Sequence, residues 1–311
     1  MNVMVTGGYG HVGIYLVRQL LEAGDRVVVF DQNTTPNPMH YPFDPKDWPN
    51  LTFVQGDIRN MAQLEETCRK YEIESLAHLV AMLAAESKLD PVKSVEVNCN
   101  GIQNSFEAAR RLGMKRVVWT SSLSVYGPQS AYGDKPLAND APHYPRDLYG
   151  ICKSFGERLA TIYSDAYGTN IVAIRFTQGY GVGRMRGGGL WTVDMTQNSV
   201  TGKPIVIANG DDSHNWILAE DEADVVFTAL KKDKVKSGSY NMSGEVASKK
   251  EVAAYVKELA PQANITLTPG KHDPARFFDD SELQKEIGWK PKHTLKEGLR
   301  KTVEFAKKKL L

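Results

Sequence analysis

The chain has 311 residues, 41% hydrophobic and 24% charged, with a formal net charge of +1; that suits one large or two modest domains and gives no footing for a nucleic-acid or membrane partner. No apolar stretch reaches the length of a membrane span, and a strand expected from residue 2 predicts no targeting peptide. Three widely spaced cysteines, Cys68, Cys99 and Cys152, predict a reducing, cytoplasmic setting, and seven histidines without ligand spacing predict no metal site.

Residues 1–6 form a short apolar run, and Gly7-Gly8-Tyr9-Gly10-His11-Val12-Gly13 follows at once. Residues 14–23 then carry apolar positions at helical spacing. A strand entering a glycine-rich turn that opens a helix is the pattern of a dinucleotide site. Gly7 permits the sharp turn, Gly10 lets the backbone approach a pyrophosphate, and Gly13 lets helix and strand pack closely. His11 and Val12 lie at the helix mouth, where N–H groups and the helix dipole favour phosphate. Residues 26–30 read as a second strand ending in Asp31, where a carboxylate accepts hydrogen bonds from an adenosine ribose; Gln32 follows it. An acid there repels a 2′-phosphate, and no Arg or Lys occurs between Asp31 and Lys46, so the expected cofactor is NAD rather than NADP.

Residues 32–50 hold five prolines and no period, which predicts a loop near the adenosine. Strands are predicted at 51–55, 76–80, 115–120 and 170–176, with helices at 62–70, 91–112 and 148–167. Repeated β-then-α order implies a Rossmann-type, doubly wound parallel sheet covered on both faces, with ligands at the carboxyl ends of the strands. After Phe176 the pattern loosens. Residues 179–189 contain six glycines with Arg184 and Arg186. A helix follows to about 200, then a strand at 204–208, a helix at 221–232 and a strand at 239–242. From 248 the chain alternates helix and short strand, closing in a helix at 295–311. The expected division is an NAD-binding domain at 1–177 plus about 212–243, and a smaller substrate domain at about 178–211 and 244–311.

Tyr149 and Lys153 stand four residues apart, on one face of the 148–167 helix. Such pairs arise by chance; position makes this one informative. It opens the helix after the fifth strand, and that strand ends in the hydroxyl cluster Thr120-Ser121-Ser122-Leu123-Ser124. Moving hydride between a carbinol and a nicotinamide requires a proton to leave or join the alcohol oxygen. A free Tyr, with a pKa of ~10, is a poor base near neutrality. A neighbouring Lys⁺ favours phenolate, so the pKa of Tyr149 is expected to fall. A serine hydroxyl can orient the substrate oxygen.

These motifs together resemble the extended short-chain dehydrogenase/reductases, the NAD-dependent epimerase/dehydratase family, with some likeness to short-chain threonine dehydrogenases. The resemblance runs nearly end to end. Gly7–Gly13 matches the cofactor turn, Gly56-Asp57-Ile58-Arg59 the adenine contact, His78-Leu79-Val80-Ala81 the loop after the fourth strand, and Asn98-Cys99-Asn100-Gly101 an N-x-x-G motif. Ser121–Gly127 looks like S-S-x-x-V-Y-G, Tyr149 and Lys153 like Y-x-x-x-K, and Ile287-Gly288-Trp289-Lys290-Pro291 like the closing L-G-W-x-P. The resemblance implies catalysis by Tyr149, Lys153 and Ser122. It implies cofactor contacts at Asp57, Ile58, Val80, Ala81, Met82, Asn98, Thr120 and Phe176, and a homodimer built on the helices at about 91–112 and 148–167.

Departures from the family narrow the reading. Dehydratases carry an acid pair after the catalytic hydroxyl residue; here Leu123 and Ser124 stand there, so water elimination is not expected. Nucleotide-sugar epimerases grip a diphosphate with two arginines and an asparagine; Asn215 stands where the first arginine should be, Pro269-Gly270-Lys271-His272-Asp273 matches the segment of the second with no arginine, and Gln178 stands for the asparagine. Losing bidentate arginine contacts weakens a diphosphate site, though Arg184, Arg186 and Lys271 could substitute. Ala81-Met82-Leu83-Ala84-Ala85-Glu86 and Gly187-Gly188-Gly189 resemble segments of the threonine dehydrogenases. The expected pocket is lined by Leu83, Ala84, Ser122, Ser124, Gln178, Arg184 and Arg186. Trp191 and Trp216 suit either its wall or, better, the core; Trp216 is carried with the pocket set. The expected function is NAD-dependent oxidoreduction at a secondary alcohol or ketone of a small polar substrate, resembling a sugar, a sugar acid or a hydroxy-amino acid. The alternatives are a nucleotide-sugar 4-epimerase and, from another class, a non-catalytic NAD-binding redox sensor.

Overall fold

Successive residues of the inner strands face opposite cores, and this alternation builds the sheet. Val3 and Val5 of β1 (Asn2–Thr6), with Val27 and Val29 of β2 (Arg26–Asp31), face one apolar cluster; Met4, Val28 and Phe30 face the other. Strands apolar on both sides need cover on both sides, which favours parallel pairing with helical crossovers. The structure, a computed structural model, describes residues 1–33, 49–187 and 189–311. Most of the expected adenosine loop, and Gly188, lie outside the described residues.

Seven parallel strands run in the order β10-β6-β5-β4-β1-β2-β3, where β3 is Leu51–Gln55, β4 Ser75–His78, β5 Arg116–Ser122, β6 Ile171–Phe176 and β10 Gly238–Asn241. Helices α1 (Gly13–Glu22) and α8 (Ala219–Lys231) supply Leu16, Leu20, Val225 and Val226 to one face, and α10 (Ser281–Ile287) adds Leu283 and Ile287. Helices α2 (Met61–Lys70), α5 (Gly101–Leu112) and α6 (Leu148–Tyr167) supply Leu64, Ile102, Phe106 and Tyr163 to the other. The fold is the expected Rossmann-type, doubly wound α/β architecture. Its strand order reverses beside β1, so a crevice opens at the carboxyl ends of β1 and β4.

Three findings differ from the sequence reading. The single helix expected at 91–112 is divided: α4 (Pro91–Val95) leads into a π-helical turn at Glu96–Asn100 and then into α5. Hydrophobic periodicity does not register one extra residue in a turn. Second, β7 (Gln178–Tyr180), β9 (Ser213–Leu218) and β11 (Glu245–Ser248) form a separate three-stranded sheet in the order β11-β9-β7, while β8 (Ile205–Ile207) pairs with β12 (Ile265–Leu267). The strands of the three-stranded sheet are short and partly polar, and distant partners rather than local pattern make them strands. Third, Trp216 of β9 is core rather than pocket wall. It is 2% exposed, its Nε1–H donates to the Ala247 carbonyl at 2.9 Å, and it packs edge-on against Tyr180 and Trp191. It belongs to a second core with Met195 of α7 (Leu190–Thr196), Val252 of α9 (Lys249–Leu259) and Leu299 of α11 (Leu295–Leu310).

Glu157 and Arg175 tie α6 to β6 within the sheet. Arg175 donates from Nη2 and Nε to the two Glu157 oxygens at 2.6 and 2.9 Å, Ser121 Oγ adds a third bond to the carboxylate, and both charges are about 4% exposed. Glu157→Ala would strand a buried guanidinium, so it is expected to lower stability by about 3–5 kcal/mol, read as a fall in the urea midpoint.

Candidate active site

The glycine turn is built as its sequence requires. Gly7 has φ +72°, and its N–H donates to the Phe30 carbonyl at 3.0 Å. A Cβ at Gly13 would lie 2.4 Å from the Gly7 carbonyl oxygen, so only glycine lets α1 start this close to β1. No side chain caps α1, which leaves its mouth, at His11 and Val12, open to an anion. His11 Nε2 lies 3.3 Å from the Gly181 carbonyl and joins the turn to the loop beyond β7. Asp31 ends β2 beside the turn, and its Oδ2 accepts the Tyr9 N–H at 3.3 Å. These features fit a dinucleotide: a glycine cradle for the pyrophosphate, an uncapped helix start and a carboxylate one strand away.

The remaining expected cofactor positions divide by what they touch. The Gln32 side chain hydrogen-bonds Asp57, whose carboxylate is also held by Arg59 at 2.6 Å; these bonds keep the Asp57 pKa below its ordinary range. Ile58 is buried against Gly101, so its side chain is core. Val80 closes on Gly7, where a Cβ would come within 3.1 Å of the Val80 nitrogen. Asn98 sits on the π-helical turn, 1% exposed. It accepts the Met82 N–H and donates to the Met82 carbonyl, both at 2.9 Å. It therefore fixes the Ala81–Met82 backbone from behind. Phe176 ends β6, partly buried against the sheet core.

The first turn of α6 is pressed onto the turn that follows β5. Asp147 caps the helix by accepting the Gly150 N–H at 2.8 Å. A Cβ at Gly150 would stand 2.2 Å from the Ser124 carbonyl oxygen, so glycine permits the approach. Ser122 Oγ lies near enough to the Tyr149 phenol to lower its pKa, accepts the Ser124 N–H at 3.1 Å and donates to Ser124 Oγ at 3.2 Å. One turn along, Lys153 is 1% exposed, its Nζ donates to the Thr120 carbonyl at 2.5 Å, and it lies 5.5 Å from the Tyr149 ring centroid. The three expected catalytic residues are thus brought together at the carboxyl end of β5.

The electrostatics depart from expectation. Burial pushes the Tyr149 pKa up to about 12, against the lowering effects of the Ser122 bond and the Arg184 charge. Burial also takes Lys153 down to about 7, so its charge is weakened near neutral pH. Desolvation governs both groups, and it leaves the buried lysine too weakly charged to lower the phenol.

Around this centre, the Leu83 N–H donates to Glu86 at 2.9 Å and Leu83 packs on Gly187; Ala84 opens α3 (Ala84–Leu89). Gln178 makes a weak 3.4 Å bond to the Gly179 carbonyl. Arg186 is exposed, paired with Glu86 at 3.4 Å and bonded to the Ala81 carbonyl. Arg184 turns inward and bonds the Gly179 carbonyl at 3.1 Å. Asn215, at the position where the resemblance calls for a diphosphate-binding arginine, is 1% exposed and bonded to Ser243 and to the Arg276 carbonyl. Lys271 points to Asp273 at 3.9 Å.

Sequence reasoning misses one group. Glu222, in the first turn of α8, is 2% exposed, and its oxygens lie where a Cβ at Gly179 would be, at 2.5 and 2.7 Å. It is close enough to Tyr149 and Arg184 to shift both, and burial pushes its own pKa up to about 8. Acids in a first turn complement the helix dipole, which gives no signal of burial; the fold turns both Asp221, bonded to His293, and Glu222 inward.

Residues 3–243 match the model of the NAD dependent epimerase/dehydratase family. The chain is 28% identical over 342 residues to a CDP-paratose 2-epimerase of Salmonella typhi, covering 98% of this chain and 99% of that one. Among solved structures it is similar to the UDP-glucose 4-epimerase of Thermus thermophilus in complex with NAD (TM-score 0.85, 26% identity, 99% of each chain). A partial-consensus L-threonine 3-dehydrogenase shares the fold (TM-score 0.86, 23% identity, 100% of each chain). With its cofactor turn, its Tyr-x-x-x-Lys helix and a match over residues 3–243, the chain belongs to the NAD dependent epimerase/dehydratase family of enzymes.

Proposed function

We propose that the protein is an NAD-dependent oxidoreductase acting at a secondary alcohol or ketone of a small polar molecule. The observation that carries this reading is the convergence of Tyr149, Ser122 and Lys153 at the carboxyl end of β5, beside a turn that accepts a dinucleotide. Bound NAD supplies the two-electron acceptor and, in its oxidised form, a positive charge that favours phenolate. In the oxidising direction the carbinol would give up its C–H hydride to that acceptor and its O–H proton to Tyr149, leaving a C=O bond and one proton for solvent. Tyr149 takes the hydroxyl proton, Ser122 holds the reacting oxygen, and Lys153 braces the end of β5 and offers its charge from below. In the reducing direction the neutral phenol, already favoured by burial, is the form that donates.

The positions at which epimerases hold a diphosphate support a substrate without one: Asn215 is buried and bonded, and Lys271 is turned to an acid. A nucleotide-sugar 4-epimerase is the second reading, favoured by the relatives named above. The two separate on net NADH: an epimerase forms none with a UDP-sugar, whereas the oxidoreductase accumulates it with a sugar, sugar acid or hydroxy-amino acid. The segments at about 178–211 and 244–311, together with β9, are taken as the substrate lobe.

A homodimer through the α4–α5 and α6 helices is part of this proposal. Val92 and Val95 of α4 and Ile151, Phe155, Ile162 and Tyr167 of α6 are exposed apolar side chains on those elements. Three free cysteines agree with a cytoplasmic setting, and among the described residues no helix is long and apolar enough to cross a membrane.

Tyr149→Phe is expected to bind NAD normally and lose at least ~10²-fold in turnover; near-normal rates in a steady-state assay would remove Tyr149 from the mechanism. Asp31→Ala is expected to raise the Kd for NAD ~10–100-fold, the usual loss for a charged hydrogen bond, and to narrow the gap to NADP in a titration calorimeter. Ile151→Asp with Phe155→Asp should shift the light-scattering mass from dimer to monomer.

A further inference from the structure

We infer that Arg184 is the receptor for a carboxylate on the substrate, so that the molecule oxidised at its secondary alcohol is a hydroxy acid. The inference rests on the oxidoreductase reading above and names its substrate class.

The loop between β7 and α7 is shaped around this guanidinium. Gly181, Gly183 and Gly187 have φ of +123°, +101° and +86°, a backbone that other residues rarely adopt. A Cβ at Gly189 would come within 2.8 Å of Arg184 Nη1, so the glycine makes room for the head group. Of five N–H donors, one bond is made among the described residues, from Nη2 to the Gly179 carbonyl. The Nε–H is buried and has no partner among the described residues. A buried donor on a charged group is costly to leave unpaired, and a ligand is the simplest partner.

Several other arginines are matched to acids, and the buried Arg116 is satisfied without one, by the Asn170 side chain and the carbonyls of Ala229, Lys232 and Asp233. Arg175 pairs with Glu157, Arg186 with Glu86 and Arg276 with Asp273. Arg184 has no carboxylate within 4.0 Å among the described residues. Its nearest charged or titratable neighbours are Glu222 of α8 and Tyr149 of α6. Glu222 lies across Gly179 from it, and burial, with Asp221 alongside, holds that carboxyl protonated near neutral pH. The guanidinium therefore keeps its charge for an incoming anion.

Position then selects the anion. Arg184 is bonded to Gly179 of β7, just beyond β6, and its charge lowers the Tyr149 phenol, so an anion on it and the carbinol at Tyr149 belong to one pocket. A planar carboxylate in the same small molecule suits that placement and matches the guanidinium fork. A diphosphate calls for further cations; Asn215 carries no charge and is bonded to Ser243, and Lys271 faces Asp273 at 3.9 Å.

The test uses matched pairs, each an aldonic or uronic acid beside its neutral alditol or aldose, with NADH formation as the readout. The acid of at least one pair should exceed its neutral partner ~10-fold or more in kcat/KM. Arg184→Gln should collapse that ratio through KM, and guanidinium chloride at non-denaturing concentration should restore part of it to Arg184→Ala. Oxalate should bind the NAD-loaded wild type in a calorimeter and fail to bind Arg184→Gln, a readout independent of turnover. As pH rises through about 8, Glu222 ionises and competes for Arg184, so the KM for the acid should climb; Glu222→Gln should remove that climb. Equal rates within every pair, or an acid preference untouched in Arg184→Gln, overturns the inference while NADH formation upholds the oxidoreductase. NADH from no substrate overturns both.

Discussion

Contact between the first turn of α6 and the turn after β5 is the constraint on which the site depends. Gly150 permits it, since any larger residue would meet the Ser124 carbonyl, and the Asp147 cap sets where the helix begins. From that contact the rest follows geometrically. Residue 149 falls beside Ser122, and residue 153, one turn on, falls under the end of β5 where the Thr120 carbonyl takes its ammonium. Gly156, a further turn along, lets the Trp119 ring lie against the helix, and the Glu157–Arg175 pair locks α6 to β6. A buried ammonium and a buried ion pair are poor sources of net stability. Their persistence along one face of α6 suits elements held for position rather than for stability.

Burial at this face has an electrostatic consequence. It raises Tyr149 and lowers Lys153, so each is pushed toward its neutral form. Helical spacing brings a phenol and an ammonium together but does not say how much water reaches either. A proton acceptor of this kind is poised by charge added within the closed site, and Arg184 is one such charge.

Legibility in the sequence follows the range of the interaction. The seven-stranded sheet is readable because its strands are apolar runs and its helices carry local periodicity; the bounds of α6 match the expected 148–167. The glycine turn and Tyr149–Lys153 are readable because their chemistry lies within one motif. The π-helical turn is not, since Asn98 matters through Met82, sixteen positions away. Nor are β7, β9 and β11, whose ladders join segments that carry no strand pattern alone. Trp216 suits a pocket or a core in sequence because an aromatic beside polar residues looks the same in both, and the structure gives it the better reading, the core. Glu222 is invisible because its environment is made by Gly179, more than forty residues earlier.

Arg184 joins recognition to proton transfer, and the two draw on the same charge. Its guanidinium lowers the phenol, and a carboxylate seated on it would cancel part of that effect. An enzyme relying on Arg184 alone to poise Tyr149 would therefore lose its base on binding its substrate. Lys153 answers this difficulty. It sits under the Tyr149 ring, away from the β7–α7 loop that carries Arg184, and is bonded to a neutral carbonyl rather than to an acid, so an anion at Arg184 leaves its contribution in place. A phenolate at Tyr149 favours the charged form of Lys153 that burial otherwise disfavours, so the lysine can serve the proton while Arg184 serves the substrate.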